Sequence, residues 1–287
     1  ENVKNKYPKA VELLSTHGSN WSPDKQCVPT PKALDYLRTP KRVAYLMTTN
    51  RTSKRTQISK KVLEETGFEV EFVQAVPLNS TITTVTTKEE IPTSNSKVES
   101  NKWTQYEGFR RIANGPHPWG YLFEDDVTHR DPTNPVQLSE IVAMEKYSKP
   151  YMYLGICTYD PRVTQGSGKN CENRKACGRC SHAQGITKDG AQDLLKYVDT
   201  VNPVFRSLYM DKHVDCWCRH RHEGEGFMVM GYNLGSRDMA GVFMQDRDNF
   251  VSEITPGKWG EKAVTNSPVK KNGAKNFRQR TDLDMDS

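Results

Sequence analysis

Val43-Ala44-Tyr45-Leu46-Met47-Thr48-Thr49-Asn50 is a compact apolar run that gives way to three polar residues. Five apolar residues are too few for a helix and read as a strand. An amphipathic stretch from Ser53 to Glu65 follows, with Ser53 suited to the N-cap and Gly67 to the residue past the helix end. Val70 to Val76 is the next strand. Strand, helix and strand in this order make a β-α-β unit, which requires a parallel pair joined by a right-handed crossover.

Working outward toward the C-terminus, Asn79 to Asn101 is dense in Thr, Ser and Lys and reads as a long exposed loop. Trp103 to Ile112 has helical spacing, and Asn114-Gly115-Pro116 stops it. Trp119 to Phe123 reads as a buried strand, Gln137 to Tyr147 as a helix and Tyr151 to Cys157 as a strand. Residues 158 to 180 form a Cys- and Gly-rich excursion, and Thr187 to Val198 a further helix. The fold class expected is α/β, with a mostly parallel central sheet flanked by helices. Ligands of such sheets sit at the carboxyl ends of the strands.

Working outward toward the N-terminus, residues 1–40 are rich in Pro, Lys and Ser, with one short helical pattern from Ala10 to Leu14. They read as an arm over a single catalytic domain, residues 41–255. Residues 256–287 lack apolar periodicity and read as a loosely held extension.

Hydrophobic residues make up 35% of the 287, and mean hydropathy is −0.78, so polar loops and tails take up part of the chain. No stretch approaches the ~18–20 apolar residues of a membrane span, and Glu1 to Lys9 is charged rather than a secretory apolar core. The compartment expected is a secretory lumen if an anchor segment lies upstream, and the cytoplasm otherwise. A net charge of +6 favours an anionic ligand. Nucleic acid is not the expected partner, because the basic residues form no stripe with interleaved aromatics.

The chemistry concentrates in Trp119-Gly120-Tyr121-Leu122-Phe123-Glu124-Asp125-Asp126-Val127. Three carboxylates follow a buried strand, and three adjacent negative charges are costly unless a cation or charged ligand meets them. Oxygen ligands of this kind suit Mg²⁺ or Mn²⁺. On an extended chain Glu124 and Asp126 point the same way and Asp125 the other.

These residues, with their neighbours, resemble a family. Val43 to Arg51 with Arg55, then Gly67 and Phe72-Val73-Gln74-Ala75-Val76, resemble the opening of the glycosyltransferase family 25 group, which includes lipopolysaccharide-modifying and procollagen galactosyltransferases. Leu122 to Val127 resembles its acidic motif. Tyr153-Leu154-Gly155 and His182 to Leu195 look like its later strand and helix. The similarity runs in order over residues 42 to 216. Thr49-Asn50 and Ser53-Lys54-Arg55 stand where the family has Asn-Leu and Asp-Arg-Arg.

The resemblance implies a GT-A-like (Rossmann-like) fold, a nucleotide-diphosphate sugar donor such as a UDP-sugar, a divalent cation and inversion at the anomeric carbon. A glycan or glycoprotein hydroxyl would be the acceptor. Glu124 and Asp126 would hold the metal, with His220 or His222 as a third contact. Thr48, Thr49, Asn50, Arg51, Arg55 and Asp125 would flank the nucleotide. Inversion needs a carboxylate base, and the family carries an Asp shortly after its Leu-Leu helix. Asp211 and Asp215 are the candidates, four apart and on one face of any helix there; Glu223 and Glu225 are outsiders. Near the C-terminus, Phe243 to Arg247 with Ser252-Glu253-Ile254 resembles the closing segment of related transferases, with Gln245 and Asp246 the residues placed to touch ligand.

Seven cysteines leave at least one thiol unpaired. Cys171, Cys177 and Cys180 cluster, Cys216 and Cys218 make a C-x-C, and Cys27 and Cys157 stand apart. Disulfides stapling the 158–180 excursion, a zinc site and free thiols are all open at this point. Asn20, Asn50 and Asn79 begin N-glycosylation sequons; a glycan on Asn50 would block a nucleotide bound beside it. Two rival readings differ in what they require. A nucleotidyltransferase needs a Gly-rich phosphate cradle, and residues 43–55 contain no glycine. A carbohydrate-binding module needs no acids after a buried strand.

Overall fold

The computed structural model describes residues 41–148, 150–156, 158–159, 175–179, 182–201, 209–221, 227–230, 240–246 and 250. The N-terminal arm, the C-terminal extension, Cys27, Cys157, Cys171, Cys180, Asn20, His222, Glu223, Glu225, Arg247 and Ser252 to Ile254 lie outside them.

The opening β-α-β unit forms as its sequence requires. Strand β1 (Val43–Thr48) is buried along its whole length. Helix α1 (Lys54–Thr66) starts where the Ser53 side chain accepts from the Thr56 amide and ends at Gly67, whose φ of 110° suits a residue without Cβ. Strand β2 (Glu69–Gln74) then pairs in parallel with β1, in register from Val43 opposite Glu69 to Thr48 opposite Gln74.

The segment expected as a long loop is instead built. Residues Thr81–Thr83 (β3) and Glu90–Pro92 (β4) form an antiparallel hairpin, with Ile82 opposite Ile91 and both packed on the core. Helix α2 (Lys97–Asn114) begins six residues before Trp103, because Ser96 caps it by accepting from the Glu99 amide. The Ser-x-x-Glu spacing of Ser96 and Glu99 is a helix-start signal that the polar composition obscures.

Next come β5 (Trp119–Phe123), buried throughout, β6 (Val127–His129), α3 (Leu138–Glu145) and β7 (Tyr151–Ile156). Four two-to-five-residue strands follow: β8 (Thr158–Tyr159), β9 (Lys175–Ala176), β10 (Gly178–Arg179) and β11 (Ala183–Thr187). Helix α4 (Lys188–Val201), helix α5 (Met210–Arg221), β12 (Phe227–Val229), β13 (Ala240–Gly241) and β14 (Phe243–Gln245) complete the described chain.

Among the described residues the main sheet has eight strands in the order β2-β1-β5-β11-β7-β12-β9, with β13 on β7. Strands β2, β1, β5, β7 and β12 run one way. Strand β11 is antiparallel to both β5 and β7, and β9 and β13 also run against the majority. The sheet is therefore mixed with a parallel majority, and one of its reversed strands, β11, sits at the centre.

Helices cover both faces. One face packs Tyr45, Leu122, Tyr153 and Ile186 against Trp103, Phe109, Leu194 and Trp217 of α2, α4 and α5. The other packs Leu46, Tyr121, Phe123 and Leu154 against Leu63 of α1 and Ile141 and Met144 of α3. A buried ion pair crosses this second layer: Arg42 Nε and Nη2 donate to the Glu145 carboxylate at 2.8 and 2.9 Å, and the Tyr121 hydroxyl donates to it at 2.6 Å. With a bidentate guanidinium and a hydroxyl donating to it, Glu145 is a charge the core tolerates.

The excursion after β7 is stapled. A disulfide joins Cys177, between β9 and β10, to Cys218 on α5.

Candidate active site

Strand β5 ends at Phe123, and Asp125 and Asp126 occupy a turn before β6 begins at Val127. The three acids are thus not on an extended chain, and strict alternation of their side chains does not hold. Asp125 and Asp126 meet on one side through Arg55, whereas Glu124 faces α2 and β14.

Each carboxylate has an identifiable partner. Arg55, in the first turn of α1, places Nε 2.7 Å from Asp125 Oδ1 and Nη2 3.2 Å from Asp126 Oδ2. The three side chains are only 17%, 15% and 4% exposed, so the pairing is shielded from water and from salt. Asp125 also accepts from Thr48 Oγ1 at 3.0 Å and from Thr56 Oγ1 at 3.3 Å. Thr48 stands at the carboxyl end of β1 and Thr56 in the first turn of α1, whose positive helix end favours an anion there. The charge repulsion that the sequence poses is met, in this arrangement, by an arginine of the chain itself.

Glu124 is held differently. Its amide donates to the His182 carbonyl at 2.9 Å, continuing the β5–β11 ladder. Its carboxyl group accepts from Gln245 Nε2 at 2.6 Å and from Asn101 Nδ2 at 3.5 Å. Burial, followed by the charge of Asp126, pushes the Glu124 carboxyl up to about 8, against the opposing pull of Asn101, Arg55 and Gln245.

Strand β14 brings Gln245 there. It pairs with β6, Gln245 opposite Val127, and the Asp246 amide donates to the Asp126 carbonyl. A polar chain also leads from Glu124 into the core. Gln105 Nε2 donates to Asn101 Oδ1 at 2.9 Å, Gln184 Nε2 to Gln105 Oε1 at 3.4 Å, and the Tyr151 hydroxyl to Gln184 Oε1. Asn101, Gln105, Gln184 and Tyr151 escape a reading focused on charged motifs. The i, i+4 spacing of Asn101 and Gln105, which puts two amides on one side of α2 beside Trp103 and Tyr106, is the signal that points to them.

The remaining candidates scatter. Thr49, Asn50 and Arg51 are exposed in the loop joining β1 to α1. The Thr49 carbonyl accepts from Gln74, Asn50 Oδ1 accepts from the Thr52 amide and hydroxyl, and the Arg51 guanidinium lies 5.6 Å from the Phe72 ring centre. Arg51 thus stacks on β2 and not on the acids. Asp211 and Asp215 are both on α5. Asp215 is 2% exposed and ion-paired with Arg219 at 3.1 Å and Lys212 at 3.7 Å on its own helix. Asp211 lies in the first turn of α5.

Among the described residues no group of three or more His, Cys, Asp or Glu side chains converges as a metal site. A hard divalent cation bound to a phosphorylated ligand takes one or two carboxylates from the protein and fills its other positions with phosphate oxygens and water. Glu124, held by Gln245 and Asn101, and Asp126, paired with Arg55, are the two carboxylates of the turn that such a smaller requirement would call on.

No protein-family model and no curated protein matches the chain. Among solved structures, the crystal structure of a glycosyltransferase involved in the glycosylation of the major capsid of PBCV-1 is similar over 66% of this chain and 81% of that one, with 10% identity and a TM-score of 0.40. No helix among the described residues is long and apolar enough to cross a membrane.

Proposed function

We propose that the chain is a GT-A-type glycosyltransferase that moves a sugar from a nucleotide-diphosphate donor, a UDP-sugar by preference, to a hydroxyl of a glycan or glycoprotein. One observation carries this reading: three carboxylates stand at the carboxyl end of a buried central strand, flanked by Thr48 and Arg55 from the neighbouring strand and helix. That is where an α/β sheet binds its ligands. The family 25 resemblance of the same residues supports it.

Glu124 and Asp126 would hold Mn²⁺ or Mg²⁺, which supplies positive charge to the departing diphosphate. Asp125, fixed by two threonine hydroxyls, is placed to accept from the nucleoside. The exposed loop of Thr49, Asn50 and Arg51 forms the rim over which the donor enters. In an inverting transfer the bond from the anomeric carbon to the diphosphate oxygen breaks as the acceptor oxygen bonds from the opposite face. The acceptor's proton would go to Asp211, in the first turn of α5. Asp215, sealed into its helix, serves to anchor α5. The disulfide of Cys177 and Cys218 favours an oxidising secretory lumen as the working compartment.

A panel of nucleotide sugars, screened for Mn²⁺-dependent hydrolysis and for protection against thermal unfolding, tests the reading. One donor should both turn over and raise the melting temperature, and Asp126→Asn should lose both effects while remaining folded. Full turnover by that variant would remove the acids from the chemistry.

A further inference from the structure

We propose that Arg55 is an exchangeable counter-ion of the acidic corner: its guanidinium and a divalent metal compete for Asp126, so the metal enters only as Arg55 withdraws. The inference rests on the metal-binding part of the function proposed above and specifies how the site is loaded.

The geometry argues for competition rather than coexistence. Arg55 spans both aspartates, with Nη2 3.2 Å from Asp126 Oδ2 and Nε 2.7 Å from Asp125 Oδ1. A dication coordinated by the Asp126 carboxylate would lie within a few ångströms of a full positive charge in a pocket where water screens little. The two cations repel, and one must leave.

The structure also provides for the departure. Asp125 keeps the hydroxyls of Thr48 at 3.0 Å and Thr56 at 3.3 Å, so its carboxylate stays satisfied when the guanidinium goes. Asp126 exchanges one cation for another. Arg55 is in the first turn of a helix at the rim of the corner and is 17% exposed, so a change of rotamer carries its long side chain outward. There the freed guanidinium faces the incoming ligand, and a guanidinium matches phosphate oxygens in a bidentate manner. Metal and nucleotide diphosphate would thus load together, the phosphates receiving the arginine that the metal displaces. Metal alone would load poorly.

Mn²⁺ binding, read from the loss of the free-ion electron paramagnetic resonance signal, tests this without any turnover. Wild-type protein should bind Mn²⁺ weakly alone and far more tightly with UDP. R55Q should bind Mn²⁺ alone at least about tenfold tighter than wild type, because the competing charge is gone. R55K keeps the charge but cannot bridge both carboxylates, and should fall between; it carries the comparison if the Gln variant does not fold. D126N should bind no Mn²⁺ in either background. If wild type binds Mn²⁺ tightly, D126N abolishes it and R55Q binds no tighter, the exchange is wrong and the metal site stands. If no variant binds Mn²⁺ with or without UDP, the metal site itself is wrong and the exchange falls with it.

Discussion

Gln245 donates to Glu124 across 121 positions of sequence, at 2.6 Å. The contact joins the last described strand to the end of the central one. It makes the carboxyl group of Glu124 depend on a residue from the far end of the fold. Removing the amide should leave a buried acceptor short of a partner, at a cost of about 1–2 kcal/mol. Gln245 also pulls the Glu124 carboxyl downward, so Gln245→Ala should move its titration above about 8. Carboxyl carbon shifts followed by NMR against pH would register the change.

The raised Glu124 carboxyl makes stability depend on pH. The folded group keeps its proton up to about 8, whereas the unfolded one loses it near the ordinary value of 4.5. The folded state binds more protons across that window, so stability falls as pH rises from 4.5 to 8. Chemical denaturation at several pH values should show this slope in wild type. Glu124→Gln, which does not titrate, should flatten it.

Lys102 acts in the opposite sense at higher pH. It is 4% exposed on α2, and burial pulls its ammonium down to about 8 against the opposing charge of Glu99. The unfolded chain holds that proton to 10.5, so stability should rise between pH 8 and 10.5. Lys102→Met should remove this rise and stabilise the protein at neutral pH by roughly 1–3 kcal/mol, since a buried charge gives way to an apolar chain of similar length. Thermal melts at pH 7 and pH 10 would compare the two.

The Cys177–Cys218 bridge closes a loop of 41 residues. Chain entropy assigns such a closure about 4 kcal/mol. Reduction, or the double change of both cysteines to serine, should lower the melting temperature accordingly. It should also reduce turnover more than donor binding, because the bridge anchors α5, which carries Asp211, and leaves the Glu124 to Asp126 turn untouched.

Asn50 begins a sequon, yet its side chain is folded back onto Thr52 in the loop beside Thr48. Peptide mass spectrometry of active protein should find Asn50 unmodified. A glycan there in fully active protein would mean the donor does not cross this rim.

The β-α-β opening was legible because local signals agree: an apolar run, a Ser cap and a Gly stop. The central β5 was legible for the same reason. The reversed β11 was not, because Ala183-Gln184-Gly185-Ile186-Thr187 offers only two apolar side chains beside a glycine and two polar residues, and so shows no apolar run. The hairpin of β3 and β4 was hidden by its Thr-rich composition, with only Ile82 and Ile91 turned to the core. In the corner, the acids announced themselves, but their neutralisation by Arg55 depends on a helix turn meeting a strand end 70 residues later. Spacing in sequence carries no trace of that meeting. Gln245 entered only through the resemblance of the closing segment, and Asn101, Gln105 and Gln184 left no more than the i, i+4 spacing of the first two, since uncharged polar residues are common on surfaces and become informative only when packing brings them inside.

The pairing of β14 with β6 fixes when the site can exist during synthesis. A nascent chain that has emerged as far as Val229 already contains the central sheet and the Arg55 ion pairs. Glu124, however, waits on the ribosome for its last neighbour. Truncation ahead of Phe243 should therefore give a product that lacks both the Phe243 ring packed on Phe123 and the Gln245 amide on Glu124 and remains inert, and the closing segment makes competence wait on the last strand described.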